Sequence, residues 1–187
     1  MTTKHVVLVG LPGAGKSTVG RAVSERLGRP FVDLDRLVER TLNKRVSQIF
    51  DQDGELAFRA AEAEASRVAA QMPVSVIAPG GGWALNPIAR AHLVDRGRII
   101  YLRVTPEAAV RRMGHGISRR PLLASAADPY QAMRAIYGAR RAAYESCADL
   151  TVDTGGMKRS RVVTRVVELV LAAEKSMANY TTELDDD

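Results

Sequence analysis

The chain has a single cysteine, Cys147, so it cannot close an intrachain disulfide. That fits a reducing cytoplasm and excludes the disulfide-stapled secreted folds. Cys147 itself reads as a small buried hydrophobe. Aromatic residues are scarce, with three Phe, five Tyr and one Trp, which leaves single-stranded nucleic acid without a stacking platform. No apolar run reaches membrane-spanning length, and Met1 to His5 lack a signal-peptide layout. His5, His92 and His115 form no pair at metal-ligand spacing. What the chain does have is excess positive charge. The net charge is +6 even with Glu183, Asp185, Asp186 and Asp187 at its end. That balance suits anionic small molecules and would also suit nucleic acid.

Gly10-Leu11-Pro12-Gly13-Ala14-Gly15-Lys16-Ser17 fits the phosphate-binding pattern G-x-x-x-x-G-K-[ST]. The buried-strand run Val6–Val9 precedes it, and a helix over Thr18–Leu27, stopped by Gly28, follows. In such a loop the backbone N–H groups face phosphate oxygens, and the helix adds the positive end of its dipole. Gly13, Ala14, Gly15 and Thr18 are therefore expected around the nucleotide. Lys16 supplies a charge for the β- and γ-phosphates, and the Ser17 hydroxyl is placed to ligate Mg²⁺.

At 187 residues the chain is read as one domain, residues 1–175, with an acidic tail over 176–187 expected to be disordered. Strands ending at Asp33, Ala78, Val104 and Asp153 alternate with helices, which predicts a parallel sheet covered on both faces. The helices are expected over residues 35–41, 46–72 with a break near Gly54, 88–94, from Pro106, 129–146 and 160–175. Residues 114–127 read as a loop.

The third strand ends in Pro79-Gly80-Gly81-Gly82 with no acid, and Asn43-Lys44-Arg45-Val46 lacks the Asp of a guanine-reading motif. Both absences count against motor ATPases and GTPases. The nearest strand-end acids are Asp33 and Asp35. One is suited to hold Mg²⁺ through water and the other to orient an acceptor hydroxyl; the competing reading of this pair is a helix cap. Arg59 and Glu62 share a helix face. By spacing alone they read as a solvated salt bridge, and the alternative is a Glu that holds an Arg fork for a carboxylate. Gly80, Gly81 and Gly82 offer backbone for close ligand approach. Trp83, next in the chain, either walls a pocket or packs. Arginines at 111, 112, 119, 120, 134, 140 and 141 include candidates for closing over phosphates. Arg111, Arg134 and Arg141 are read as surface residues.

In order and spacing, six segments resemble the shikimate kinase family, of the nucleoside-monophosphate-kinase-like group: Gly10–Ser17, Asp33-x-Asp35, Gly54-Glu55-x-x-Phe58-Arg59-x-x-Glu62, Gly80–Gly82, Arg120-Pro121-Leu122-Leu123 and Arg140-x-x-x-Tyr144. The resemblance runs from Val6 to about Leu171. It implies a three-layer α/β/α sandwich with a five-stranded parallel sheet of order 2-3-1-4-5, an acceptor-binding region over 33–72 and a mobile lid over 113–127. The implied reaction moves the ATP γ-phosphoryl to the 3-hydroxyl of shikimate. Ser17 and Asp33 would serve Mg²⁺, with Lys16, Asp35 and Arg120 catalytic. Asp35, Arg59, Arg140 and the Gly80–Gly82 backbone would hold shikimate. Arg112 would meet the adenine, and Arg120, with Arg119 the competing choice, would meet the phosphates. The implied partners are ATP and shikimate, without nucleic acid or membrane, for a cytoplasmic monomer. Trp83 is bulkier than the small residue the family pattern leads one to expect, which raises a change of substrate choice. The competing functions are a kinase for another acceptor, such as gluconate or a nucleotide, and a nucleotide-dependent nucleic-acid-binding module. An acceptor without an anionic group would give Arg59 and Arg140 no purpose. Lys16→Ala is expected to abolish phosphoryl transfer while the far-ultraviolet circular dichroism and melting temperature stay near those of the parent; unchanged turnover would refute the phosphate-loop assignment.

Overall fold

A computed structural model describes residues 3–119, 123 and 125–185. Five strands form one parallel sheet: β1 (His5–Val9), β2 (Phe31–Asp33), β3 (Val76–Ala78), β4 (Gly97–Arg103) and β5 (Leu150–Asp153), in the order β2-β3-β1-β4-β5. The expected order is the observed one. All five residues of β1 are buried. Sheet faces covered on both sides need continuous apolar runs, which is why Val6–Val9 and Ile99–Leu102 do not alternate with polar residues.

The helices are α1 (Lys16–Leu27), α2 (Leu34–Leu42), α3 (Val46–Gln52), α4 (Gly54–Ala70), α5 (Pro87–Ala91), α6 (Pro106–Met113), α7 (Pro129–Cys147) and α8 (Arg159–Asp185). Their starts follow local chemistry. Asp33, Asn86, Thr105 and Asp128 each cap a helix by accepting a backbone N–H in the next turn. Proline at the first turn, where no donor is lost, opens α5, α6 and α7. Two expectations differ from the structure. Gly114–Arg119, read as loop, forms a 3-10 turn. The last helix continues to Asp185, past the point where a disordered tail was expected; extending an existing helix costs far less than nucleating one. Among the described residues no helix is long and apolar enough to cross a membrane.

Register decides what sits at the carboxyl edge of the sheet. Asp33 pairs with Ala78, so β2 and β3 end side by side, and Arg103 pairs with Asp153. The order of connection reverses between β3 and β4 on either side of β1, and such a switch point opens a crevice beyond the strand ends.

At the opposite edge His5 is buried, and its Nδ1 accepts the Ser75 backbone N–H at 3.0 Å. A protonated ring would turn that acceptor into a donor facing a donor. Burial lowers the His5 pKa, the hydrogen bond to the Ala70 backbone opposes the shift, and nearby Arg96 adds to it. The folded chain therefore prefers neutral His5, while the unfolded chain takes up a proton below its ordinary pKa of about 6.5. This contribution is complete above that pH and is lost as pH falls through it toward the lower folded value. The melting temperature is expected to fall between pH 7.5 and 5.5, and His5→Asn, whose Oδ1 can still accept the Ser75 N–H, is expected to reduce that slope. A slope unchanged by the substitution would show that His5 does not carry it.

Candidate active site

The phosphate loop joins β1 to α1. Gly13 and Gly15 hold φ of 80° and 97°, values that favour glycine because a Cβ there is strained. Gly13 has a second constraint, since a Cβ would lie 2.4 Å from the Ala109 carbonyl oxygen. The Lys16 ammonium donates to the carbonyls of Gly10 at 2.8 Å and Leu11 at 3.1 Å, which hold it over the loop. The Ser17 hydroxyl donates to Asp33 Oδ2 at 2.9 Å, while Asp33 Oδ1 accepts the Arg36 N–H as a helix cap. The cap reading of Asp33 is thus present on one oxygen, and the other oxygen meets Ser17. Two adjacent oxygen ligands beside a phosphate loop fit Mg²⁺, a hard cation that takes one or two protein ligands with phosphates and water.

Two cavities meet over this edge. The larger, about 510 Å³, is lined by Gly13 to Thr18, Asp33, Asp35, Arg112 and Thr154, among others. The smaller, about 220 Å³, is walled by Phe50, Phe58 and Ile136 and carries Arg59 and Arg140. Asp35, Gly80 and Gly81 line both, so the boundary between the cavities is one carboxylate and one stretch of bare backbone.

Each glycine of that stretch lies against a different charged side chain. A Cβ on Gly80 would lie 2.6 Å from Asp35 Oδ1, one on Gly81 3.2 Å from Arg140 Nη1, and one on Gly82 2.6 Å from Arg59 Nη2. Close approach, expected here for a ligand, applies to the site's own side chains as well.

Arg59 donates through Nε and Nη2 to Glu55 Oε1 and through Nη1 to Glu62 Oε2. Three of the five N–H groups of a guanidinium are used, leaving one on each terminal nitrogen. The solvated-bridge reading is overturned, because Glu62 is 1% exposed. Burial alone would lower the Arg59 pKa, but Glu62 and Glu55 outweigh it and the net shift is upward. On α7 the Tyr144 hydroxyl donates to the Gly81 carbonyl, interacts with Arg140, and stacks its ring on Tyr101 at 5.3 Å. Burial pushes the Tyr144 pKa up to about 12, against the opposing Arg140 charge, so the hydroxyl stays a donor.

Arg112 lines the larger cavity, held by Thr154: Nη1 donates to Oγ1 at 2.8 Å and Nη2 to the carbonyl. Arg134 and Arg141 pair with Glu107 and Glu145 on the surface, as read from the sequence, and Arg111 is exposed. Cys147 is half-buried and burial pushes its thiol pKa up, against any reactive role. Trp83, open in the sequence between walling a pocket and packing, takes the second role. It is 0% exposed and its indole donates to Ser66 Oγ at 3.0 Å, so it packs behind the glycines and walls neither cavity. The Arg119 side chain and all of Arg120 lie outside the described residues. Asn86 and Arg159 went unnoticed in the sequence, and Thr154 was expected only as part of the loop after Asp153 that the family resemblance places beside Arg112. Thr154 and Arg159 line the larger cavity and Asn86 touches Arg59, but none belongs to a local pattern.

The shikimate kinase family profile matches residues 12–171. A shikimate kinase of Symbiobacterium thermophilum is 44% identical over 165 residues, 88% of this chain and 94% of that one. One of Bordetella pertussis is 40% identical over 170 residues, covering 91% and 80%. The solved shikimate kinase of Acinetobacter baumannii in complex with shikimate superposes with a TM-score of 0.86 at 32% identity, covering 92% of this chain and 95% of that chain.

The glycine contacts allow the roles expected of Arg59 and Asp35 to be tested separately. Gly82→Ala, at a φ of −96° that any residue adopts, is expected to displace the Arg59 tip and raise the acceptor KM roughly tenfold with little loss of kcat, the size of one lost charge-assisted hydrogen bond. Gly80→Ala is expected to displace Asp35 and lower kcat. Steady-state kinetics of both variants check this, and identical profiles would show that the glycines do not sort the two roles.

Proposed function

The chain belongs to the shikimate kinase family, and from that premise we propose how its own residues carry the reaction. It transfers the γ-phosphoryl of ATP to the 3-hydroxyl of shikimate, giving ADP and shikimate 3-phosphate. ATP occupies the larger cavity. The loop N–H groups from Gly13 to Thr18 cradle its phosphates, Lys16 meets the β- and γ-phosphates, and Arg112, held by Thr154, faces the adenine. Ser17 and, through water, Asp33 would hold Mg²⁺, whose charge would neutralise that of the phosphates when bound.

Shikimate fills the smaller cavity. The two remaining N–H groups of Arg59, with Arg140, grip its carboxylate, and the Gly80–Gly82 backbone lies along the ring. Asp35, at the boundary of the cavities, aligns the attacking hydroxyl and takes its proton as the new bond forms. A loose phosphoryl transition state asks mainly for alignment and charge neutralisation, which this arrangement provides with fixed groups. Arg120 is assigned to the phosphates by the family resemblance alone. The reading extends to a cytoplasmic enzyme acting as a monomer.

The observation that carries the proposal is the shared boundary: the phosphate loop opens onto the same Asp35 and Gly80–Gly81 that line a pocket with two arginines. A carboxylate-bearing acceptor explains those arginines, and a nucleic-acid-binding role does not. ADP release is expected to be stimulated by shikimate and not by gluconate or nucleoside monophosphates. Arg59→Ala is expected to raise the shikimate KM roughly 10- to 100-fold and leave the ATP KM near its parent value, as for a lost charge-assisted contact worth about 1.5–3 kcal/mol. Stimulation by another acceptor alone, or equal effects on both KM values, would overturn the assignment.

A further inference from the structure

Asn86 uses its two ends for different purposes. Its Oδ1 accepts the Ala89 N–H at 3.2 Å and caps α5, an ordinary structural task. Its Nδ2 points the other way, across to α4, and donates both to the Arg59 carbonyl at 2.9 Å and to Glu62 Oε2 at 3.1 Å. That same Oε2 accepts from Arg59 Nη1 at 3.0 Å. The other carboxylate oxygen, Oε1, is buried without a hydrogen-bond partner among the described residues. Glu62 therefore hangs by one oxygen between two donors, and Asn86 is one of them.

The stretch from Gly82 to Asn86 touches Arg59 at both ends. Gly82 lies against the guanidinium tip, and Asn86 bonds the root at the carbonyl and the partner carboxylate beside it. Trp83, between them, donates to Ser66 Oγ, which in turn donates to the Glu62 carbonyl. These bonds fasten the segment after the glycines to α4, the helix that carries Arg59.

We propose that Asn86 is a positioning residue for acceptor binding, fixing the Glu62 carboxylate against which Arg59 is aimed at the acceptor's carboxylate. The proposal rests on the reading of Arg59 as the carboxylate clamp. A carboxylate buried from water keeps its orientation only through the donors it has. With the amide gone, Glu62 turns and Arg59 loses its seat; the acceptor pocket loosens while the phosphate loop, which Asn86 does not touch, keeps its geometry.

Asn86→Asp separates the two ends, since the new carboxylate still caps α5 but sets an oxygen where Nδ2 met Glu62. Asn86→Ser keeps a good cap, adds no charge and is too short to reach Glu62, so it carries the same comparison should Asn86→Asp fail to fold. Each is expected to raise the shikimate KM about tenfold or more, the scale of one lost hydrogen bond to a charged group. The ATP KM is expected to stay within about twofold. In an Arg59→Ala background the same substitutions are expected to change the shikimate KM little, because residues acting in series are not additive. If Arg59→Ala raises the shikimate KM and the folded Asn86 variants do not, the positioning role is wrong and the clamp stands. If Arg59→Ala leaves that KM unchanged, the clamp reading itself fails. Equal rises for shikimate and ATP, or full additivity with Arg59→Ala, would reduce Asn86 to its cap.

Discussion

A carboxylate from α2 and guanidinium groups from α4 and α7 meet over one turn of backbone because Gly80, Gly81 and Gly82 carry no Cβ. Everything else at the site depends on that approach. Were the turn built of alanines, Asp35 and Arg59 would each have to retreat from contacts of 2.6 Å. The parallel pairing of β2 with β3 brings Asp33 level with Ala78 and so delivers the chain after Asp33 to the glycines. The pairing of β1 with β3 sets the phosphate loop beside the same turn, where Pro12 lies against Gly81. The sheet register and the bare turn together place the two cavities edge to edge.

Such convergence is costly in isolation. A charge buried with one partner loses hydration that the ion pair only partly returns, so Arg59 and Glu62 are poor candidates for stabilising the fold. Their environment suits orientation instead. Glu55 and Glu62 take opposite sides of the guanidinium, and Asn86 shares the Glu62 oxygen. Tyr144 plays the matching part on α7, joining the Gly81 carbonyl to the neighbourhood of Arg140.

What was legible in the sequence was local. The phosphate loop could be read whole because its pattern resides in eight consecutive residues; the parallel sheet followed from alternating elements, and its strand order from the family resemblance. The Asp33 cap was open from the strand-to-helix spacing and is observed, whereas the bond from Ser17 to its other oxygen joins residues 16 positions apart. Burial was not legible. Arg59 and Glu62 at i, i+3 look the same on a solvated face as on a buried one, and only packing of α4 against neighbouring elements leaves Glu62 1% exposed. Trp83 was undecided for the same reason, since its partner Ser66 lies on a different element. Asn86 meets Glu62 across 24 positions and Tyr144 meets Gly81 across 63, separations at which no local pattern exists.

The two sides of the site share one design principle. Arg112 rests on Thr154, which is itself tied to the Arg103 carbonyl through both its N–H and its hydroxyl. Arg59 rests on Glu55 and Glu62, and Lys16 on two loop carbonyls. Each of these cations is held by protein acceptors, so a substrate meets positive charge already aimed. In a reaction whose transition state gains little from covalent chemistry by the protein, prior orientation is where rate can be gained. The entropy of fixing long side chains is met during folding and does not have to be met again when ligand binds. On the proposed assignment of the arginines, the partners that hold them would matter to turnover as the arginines do.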